Sequence, residues 1–267
     1  MPTSSLAGRA AYITGASSGI GYATALELAR RGAHVIATGL TVDSLIPLQE
    51  AIAALPEPHG DVLALAVDVR DAQAQQDAVA AGESRFGRLD IVVANAGVGQ
   101  RGSIADSDWA DLDTLLRTNI DGVLHSIRAS VPAMRRAGGG RIILISSISA
   151  GVPMPYAAAY GASKTFVSSI ASSLRFELEA DHITVTELRL GRVATPFNQN
   201  RLGAKGYSAN AARLPSMTPE RVAQAIADNA ERPRRTVILR LFDRFIRLAG
   251  LIAPDFIGRK AMKQYKV

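Results

Sequence analysis

Seven consecutive residues, Gly15-Ala16-Ser17-Ser18-Gly19-Ile20-Gly21, constrain this chain more than any other stretch. Before them, Arg9-Ala10-Ala11-Tyr12-Ile13-Thr14 reads as a short, mostly apolar strand. After them, Ala23, Leu26, Leu28 and Ala29 follow a helical pattern. Glycines at a strand-to-helix turn let backbone amides approach a phosphate at the helix N-terminus, and Ser17 and Ser18 add hydroxyl donors. Tight strand–helix packing alone would also use glycines here. The position in the first strand–turn–helix unit favours dinucleotide binding.

The same alternation runs on. Strands are expected over residues 32–38, 61–69, 89–94, 141–145, 183–190 and 236–239, separated by helices over about 71–86, 107–137, 158–180 and 218–230. Alternating strands and helices imply a single-domain, doubly wound parallel sheet with helices on both faces. At 267 residues, 48% hydrophobic and 20% charged, the chain can bury the core this requires. It has no cysteine, which excludes disulfides and thiolate chemistry and suits a reducing cytosol. The N-terminus shows no signal-peptide pattern, and no apolar run approaches the ~20 residues of a membrane span. A cytoplasmic location is expected.

Tyr160 and Lys164 stand four residues apart, so a helix puts them on one face. A free phenol titrates near ~10, and a neighbouring cation is expected to bring it toward neutral pH. Such a pair moves a proton to or from a carbinol oxygen, although an isolated match is usually a surface helix pair. The apolar run Arg141 to Ile145 ends in Ser146-Ser147, at the carboxyl end of a strand, where open α/β sheets gather their sites. The strand over 89–94 ends in Asn95-Ala96-Gly97, small residues that let backbone approach a flat ligand. Asn119 lies among Leu115, Leu116, Ile120 and Val123, so a polar residue in a helix interior needs a reason, the plain one being an internal hydrogen bond. Asp68, with Val69, ends the third strand, where an aspartate also caps helices. His34 reads as an ordinary strand residue, and no metal-binding cluster accompanies it.

Thr14 to Gly21, with the spacing Gly-x-x-x-Gly-x-Gly, together with Tyr160 and Lys164 downstream, resembles the short-chain dehydrogenase/reductase family of the Tyr-x-x-x-Lys type. The resemblance covers residues 6–239 and implies a Rossmann-like fold. It implies an NAD(P)-dependent oxidoreductase interconverting an alcohol and a ketone or aldehyde. Tyr160 would be the acid/base, with Lys164 lowering its pKa and holding the ribose. Ser147, thirteen residues before Tyr160, would bind the oxyanion, and Asn119 would hold a helix distortion and a water on the proton path. The cofactor would lie on Gly15, Ser17, Ser18, Gly19, Ile20 and Gly21, with Asp68 at the adenine and Val69, Asn95, Ala96 and Gly97 also in the cofactor site. Gly191, Val193 and Thr195 would meet the nicotinamide and pyrophosphate. The chain departs from the family in having Ala94 before Asn95, and Leu190 before Gly191.

The positions that choose the cofactor correspond by resemblance to Gly39 and Leu40, after Thr38. Neither is an acid that would bind a ribose 2′-hydroxyl, nor an arginine for a 2′-phosphate. With Thr38 and Thr41 as donors and no acid to repel a phosphate, NADP(H) is expected ahead of NAD(H). The polar stretch within 192–216 is expected to be a mobile substrate lid.

Residues 241–267 form a basic amphipathic extension to a domain spanning 1–240. From Glu231 onward there are ten Lys or Arg and three acids, whereas the rest of the chain has twenty and twenty-one. The tail reads as a cover for the substrate pocket or a subunit contact, ahead of a peripheral membrane contact. The lid and the apolar tail suggest a hydrophobic, lipid-like or steroid-like substrate. The resemblance implies a homodimer or homotetramer, and nothing argues for nucleic acid. The alternative is a catalytically weak cofactor-binding regulator or scaffold, attached to membrane by its tail.

Overall fold

The computed structural model describes residues 6–203 and 216–263. In chain order its elements begin with β1 (Ala10–Ile13), α1 (Gly19–Arg30), β2 (His34–Gly39), α2 (Ile46–Ala53), β3 (Val62–Ala66) and α3 (Ala72–Phe86). There follow β4 (Ile91–Ala94), β5 (Gln100–Arg101), α4 (Trp109–Leu116), a π turn (Arg117–Asp121), α5 (Gly122–Arg136) and β6 (Gly140–Ser147). The remainder is α6 (Ala158–Glu177), β7 (Ile183–Leu190), a 3₁₀ turn (Pro196–Asn198), β8 (Leu202–Gly203), α7 (Pro219–Glu231), β9 (Thr236–Val237), α8 (Leu241–Ile252) and α9 (Pro254–Met262).

Seven strands form one parallel sheet in the order β3-β2-β1-β4-β6-β7-β9. The order reverses between β1 and β4, so successive crossovers wrap opposite faces and leave a crevice at the carboxyl ends of those strands. β1 and β4 are buried at every residue, as strands covered on both faces must be. One apolar cluster joins Ile13, Leu28 and Leu48 to Ile226 beneath α1, α2 and α7. The other joins Tyr12, Val79 and Met134 to Val167 beneath α3, α5 and α6. The doubly wound architecture is therefore the one the strand–helix alternation implies.

Local chemistry explains the boundaries. Asp71 accepts from the amides of Gln73 and Ala74 at 2.9 and 3.1 Å and starts α3, which stops at Gly87 with φ +78°. Thr218 accepts from Arg221 N at 3.3 Å ahead of Pro219, the first residue of α7. The helical region expected over 107–137 is divided by the π turn around Asn119. The last strand is only two residues long. The short helix α2 was not expected, because eight residues containing a proline show too little periodicity.

The expected lid is in part ordered structure. Leu202 N donates to Gly99 O at 2.9 Å, β8 pairs with β5, and Gly203 N donates to Asp111 at 2.9 Å. Residues 204–215 of that expectation lie outside the described residues. No helix among the described residues is long and apolar enough to cross a membrane.

Candidate active site

The turn after β1 is shaped by what its glycines lack. Gly15 and Gly19 have φ of +67° and +55°, a region that L side chains rarely adopt. A Cβ on Gly15 would lie 3.0 Å from Ala96 Cα, and one on Gly19 would lie 3.0 Å from Thr195 Cγ2. A Cβ on Gly21 would overlap the Gly15 carbonyl and sit 2.7 Å from Asn95 Nδ2. Ser18 precedes α1 in extended backbone and makes no side-chain cap, so the first-turn amides are left for another acceptor. Bare backbone and an uncapped helix start suit a pyrophosphate, and the residues fit that part of a dinucleotide.

β4 is tied to this turn through Thr14. Its hydroxyl accepts from Asn95 N and Ala96 N, both at 3.0 Å, and Asn95 Nδ2 donates to Thr14 O at 2.9 Å and Gly15 O at 3.2 Å. Asn95 thus braces the glycine turn from below despite Ala94 before it. Thr195, after β7, closes the other side against Gly19. Val193 packs its side chain into the core and pairs with Met217. Ile20 likewise packs against the core.

At the ribose end, Gly39 is buried, and a Cβ on it would meet Ser44 Oγ at 3.0 Å and Ser17 Cβ at 3.3 Å. Leu40 is exposed. The expectation that Thr38 donates to a 2′-phosphate is corrected. Thr38 is fully buried and its hydroxyl donates to Ile13 O at 3.1 Å, holding β2 to β1. No Lys or Arg occurs between Arg31 and Arg70. Asp68 also has a partner: Arg70 holds it at 2.6 Å and keeps the carboxyl below its ordinary value, so an adenine contact must share that charge. Val69 is buried against Gly122.

β6 and α6 bring the polar centre together. Lys164, 5% exposed, points its ammonium at Ile145 O, 3.0 Å away, and 5.9 Å from the Tyr160 ring centroid. Ser147 hydrogen-bonds the Tyr160 phenol and accepts from Ser149 N at 3.2 Å. The Tyr160 ring lies 6.0 Å from that of Phe197. Gly97 faces the same centre, since a Cβ there would be 3.1 Å from Asn119 Oδ1 and 3.6 Å from Lys164 Nζ. Tyr160, Lys164, Ser147, Asn119 and Gly97, scattered over 68 positions of sequence (97 to 164), come together in space.

The electrostatics correct a second expectation. Desolvation pushes the Tyr160 phenol up to about 12, against the lowering effect of the Ser147 hydrogen bond. Part of its surface stays open to solvent, which tempers that rise. The phenol's own burial outweighs any pull toward neutrality, and burial also pushes the Lys164 ammonium down to about 8. The unfolded lysine binds its proton up to about 10.5, so folding discharges it between those values. The stability cost of burying Lys164 is full below about pH 8 and fades as pH rises toward 10.5. Thermal melts of the wild type and Lys164→Met across this range should therefore converge with rising pH. A constant difference would mean that Lys164 is not desolvated in the folded protein.

Asn119 is fully buried. Its Oδ1 accepts from Val98 N at 2.8 Å, and its Nδ2 donates to Val98 O at 2.9 Å and to Ser163 Oγ at 3.1 Å. Its side chain therefore clamps the turn after β4 to α6. A buried chain behind α6 was missed from sequence. Ser146 Oγ donates to Lys164 O at 3.2 Å and meets Ser168 Oγ at 3.1 Å, and Ser168 donates to Glu187, which Arg189 pairs at 2.7 Å. An acid inside the buried strand β7 was the available signal. Gly191 packs against the tail, where a Cβ would lie 2.6 Å from Arg240 Nη2, the partner of the buried Asp243. His34 stacks on Phe86, and the described residues contain no cluster able to hold a metal.

Comparison with known proteins agrees with this geometry. The chain is 36% identical over 207 residues to an uncharacterised NAD-dependent oxidoreductase of Mycobacterium tuberculosis, covering 72% of this chain and 74% of that one. It is 34% identical to sulfoacetaldehyde reductase 2 of Chromohalobacter salexigens, covering 86% and 91%. It is 35% identical over 195 residues to glycine betaine reductase ATRR of Emericella nidulans, but spans only 15% of that protein's length. A metagenomic short-chain oxidoreductase solved with NADP superposes with a TM-score of 0.74, at 29% identity over 89% of this chain and 99% of that one. A short chain dehydrogenase of Mycobacterium paratuberculosis bound to NAD gives 0.76, at 28% identity over 87% and 96%. Residues 9–205 match the short chain dehydrogenase family as a whole, and with the parallel sheet and the glycine turn in place the chain belongs to that family of NAD(P)-dependent oxidoreductases.

Proposed function

We propose that this protein interconverts an alcohol and a ketone or aldehyde, with Tyr160 as the acid/base. The observation that carries the reading is the convergence of Ser147, Tyr160 and Lys164 beside the glycine turn at the carboxyl end of the sheet. When bound, the nicotinamide supplies or accepts the hydride. Tyr160, protonated at neutral pH, gives its proton to the carbonyl oxygen during reduction and recovers it during oxidation. Ser147 donates to the same oxygen as negative charge develops. Lys164 holds the ribose and, while charged, stabilises the phenolate left after transfer. Asn119 keeps the Val98 turn and α6 in register so that the lysine lies beneath the crevice.

Phe197 beside Tyr160, and Met154 3.5 Å from where a Gly161 Cβ would be, support an apolar substrate. A homodimer or homotetramer is the expected assembly. NADP(H) is favoured over NAD(H) because Gly39 and Leu40 offer no acid, but the absence of Lys or Arg between Arg31 and Arg70 makes the margin small. A paired fluorescence titration should give an NADPH preference below about tenfold. A preference for NADH reverses the cofactor assignment, and binding of neither removes the enzymatic reading. Consumption of reduced nicotinamide with a panel of apolar ketones and aldehydes tests the reaction itself.

A further inference from the structure

We infer that α8 and α9 dock the protein onto an anionic lipid surface. A helix that only covers a pocket turns its apolar face inward. In α8 the inner face carries Asp243, paired to Arg240, and Gly250, whose hydrogen faces Val152 where a Cβ would be 2.5 Å from Cγ1. Leu251 lies against Gly151 and Pro153 against Gly258, so this inner side rests on the loop that follows Ser147. The apolar residues stand on the opposite side. Leu241, Phe245, Leu248 and Ile252 recur at intervals of three and four and are 80%, 68%, 55% and 75% exposed. Phe242 and Phe256 widen the stripe and are exposed as well.

Charge selects the occupant. The segment 241–267 has six Lys or Arg against Asp243 and Asp255, and Asp243 is already neutralised by Arg240. Arg244 on α8, and Arg259, Lys260 and Lys263 on or just after α9, are exposed. A second copy meeting this face across a two-fold axis would set like charges against each other, whereas anionic headgroups complement them. Twelve residues of helix reach about 18 Å, well short of the ~30 Å hydrocarbon core, so α8 lies along the surface. The sequence pattern had ranked pocket cover and subunit contact ahead of membrane. The outward direction of the stripe reverses that order, and the inference stands whatever reaction the crevice performs.

The test is co-sedimentation of the full chain with phosphatidylcholine vesicles, with and without phosphatidylglycerol. Binding should require the anionic lipid and weaken with salt. Phe245→Asp with Leu248→Asp should cut it at least about tenfold, with an unchanged melting midpoint and unchanged NADPH affinity. Arg259→Glu with Lys260→Glu should weaken it without touching the stripe. Absence of binding to anionic vesicles overturns the inference. So does light scattering that shows the aspartate pair splitting an oligomer while vesicle binding is unaffected.

Discussion

Tyr160→Phe should lower the rate of carbonyl reduction by roughly 10³-fold while leaving the NADPH dissociation constant nearly unchanged. The substitution removes one oxygen. The ring keeps its place against Phe197 and on α6, so neither the fold nor the glycine turn is disturbed. The wild-type phenol, held up to about 12, is fully protonated at pH 7 and is a ready donor. Without it the developing alkoxide has only Ser147 to stabilise it, and that residue supplies a hydrogen bond but no proton relay. Steady-state rates and a fluorescence titration on the same preparation measure both quantities. Retention of more than about a tenth of the activity would move the acid/base role to another group. A protein that bound cofactor without turnover in either form would instead be a regulator or scaffold.

Gly21→Ala is the second large effect, and it works through shape. Its Cβ would overlap the Gly15 carbonyl and crowd Asn95 Nδ2 at 2.7 Å, and neither neighbour is a flexible side-chain end. The Asn95 amide is itself held by Thr14 O, so relief must displace the turn from β4 or tilt the start of α1. Overpacking of this kind costs about 1–3 kcal/mol of stability. Opening the turn should also weaken dinucleotide binding by about 10²-fold, because the first-turn amides lose their aim. Gly87→Ala is the control. Unlike Gly21 it has positive φ, and no heavy atom lies within 4 Å of its added Cβ, so it should cost stability through backbone strain alone and leave cofactor affinity intact. Urea unfolding and NADPH titration separate the two effects. Equal affinity in both variants would show that the glycine turn does not cradle the cofactor.

What was legible in the sequence was what short-range chemistry encodes. The strand–helix alternation led to the doubly wound sheet, and the caps Asp71 and Thr218 bounded their helices within a residue or two. The four-residue spacing placed Tyr160 and Lys164 on one helix face. Apolar periodicity is less informative for short elements, and so α2 went unseen and the 107–137 helix was read without its π turn.

By itself, then, the sequence determined the family, the order of the elements and the residues able to carry acid/base chemistry, because those depend on spacing within one element or on glycine at a tight turn. The tertiary structure decided which of those groups are available. Thr38 is spent on Ile13, 25 positions away, and Asn119 on Val98 and Ser163, up to 44 away. Lys164 owes its lowered pKa to burial by packed neighbours, which no count of nearby charges in the sequence could supply. The tail's apolar stripe was visible as a pattern, but only the seating of Asp243 and Gly250 against the body turned that stripe outward. Hydrogen bonds and desolvation are set by distance in space, and chain neighbours do not report it.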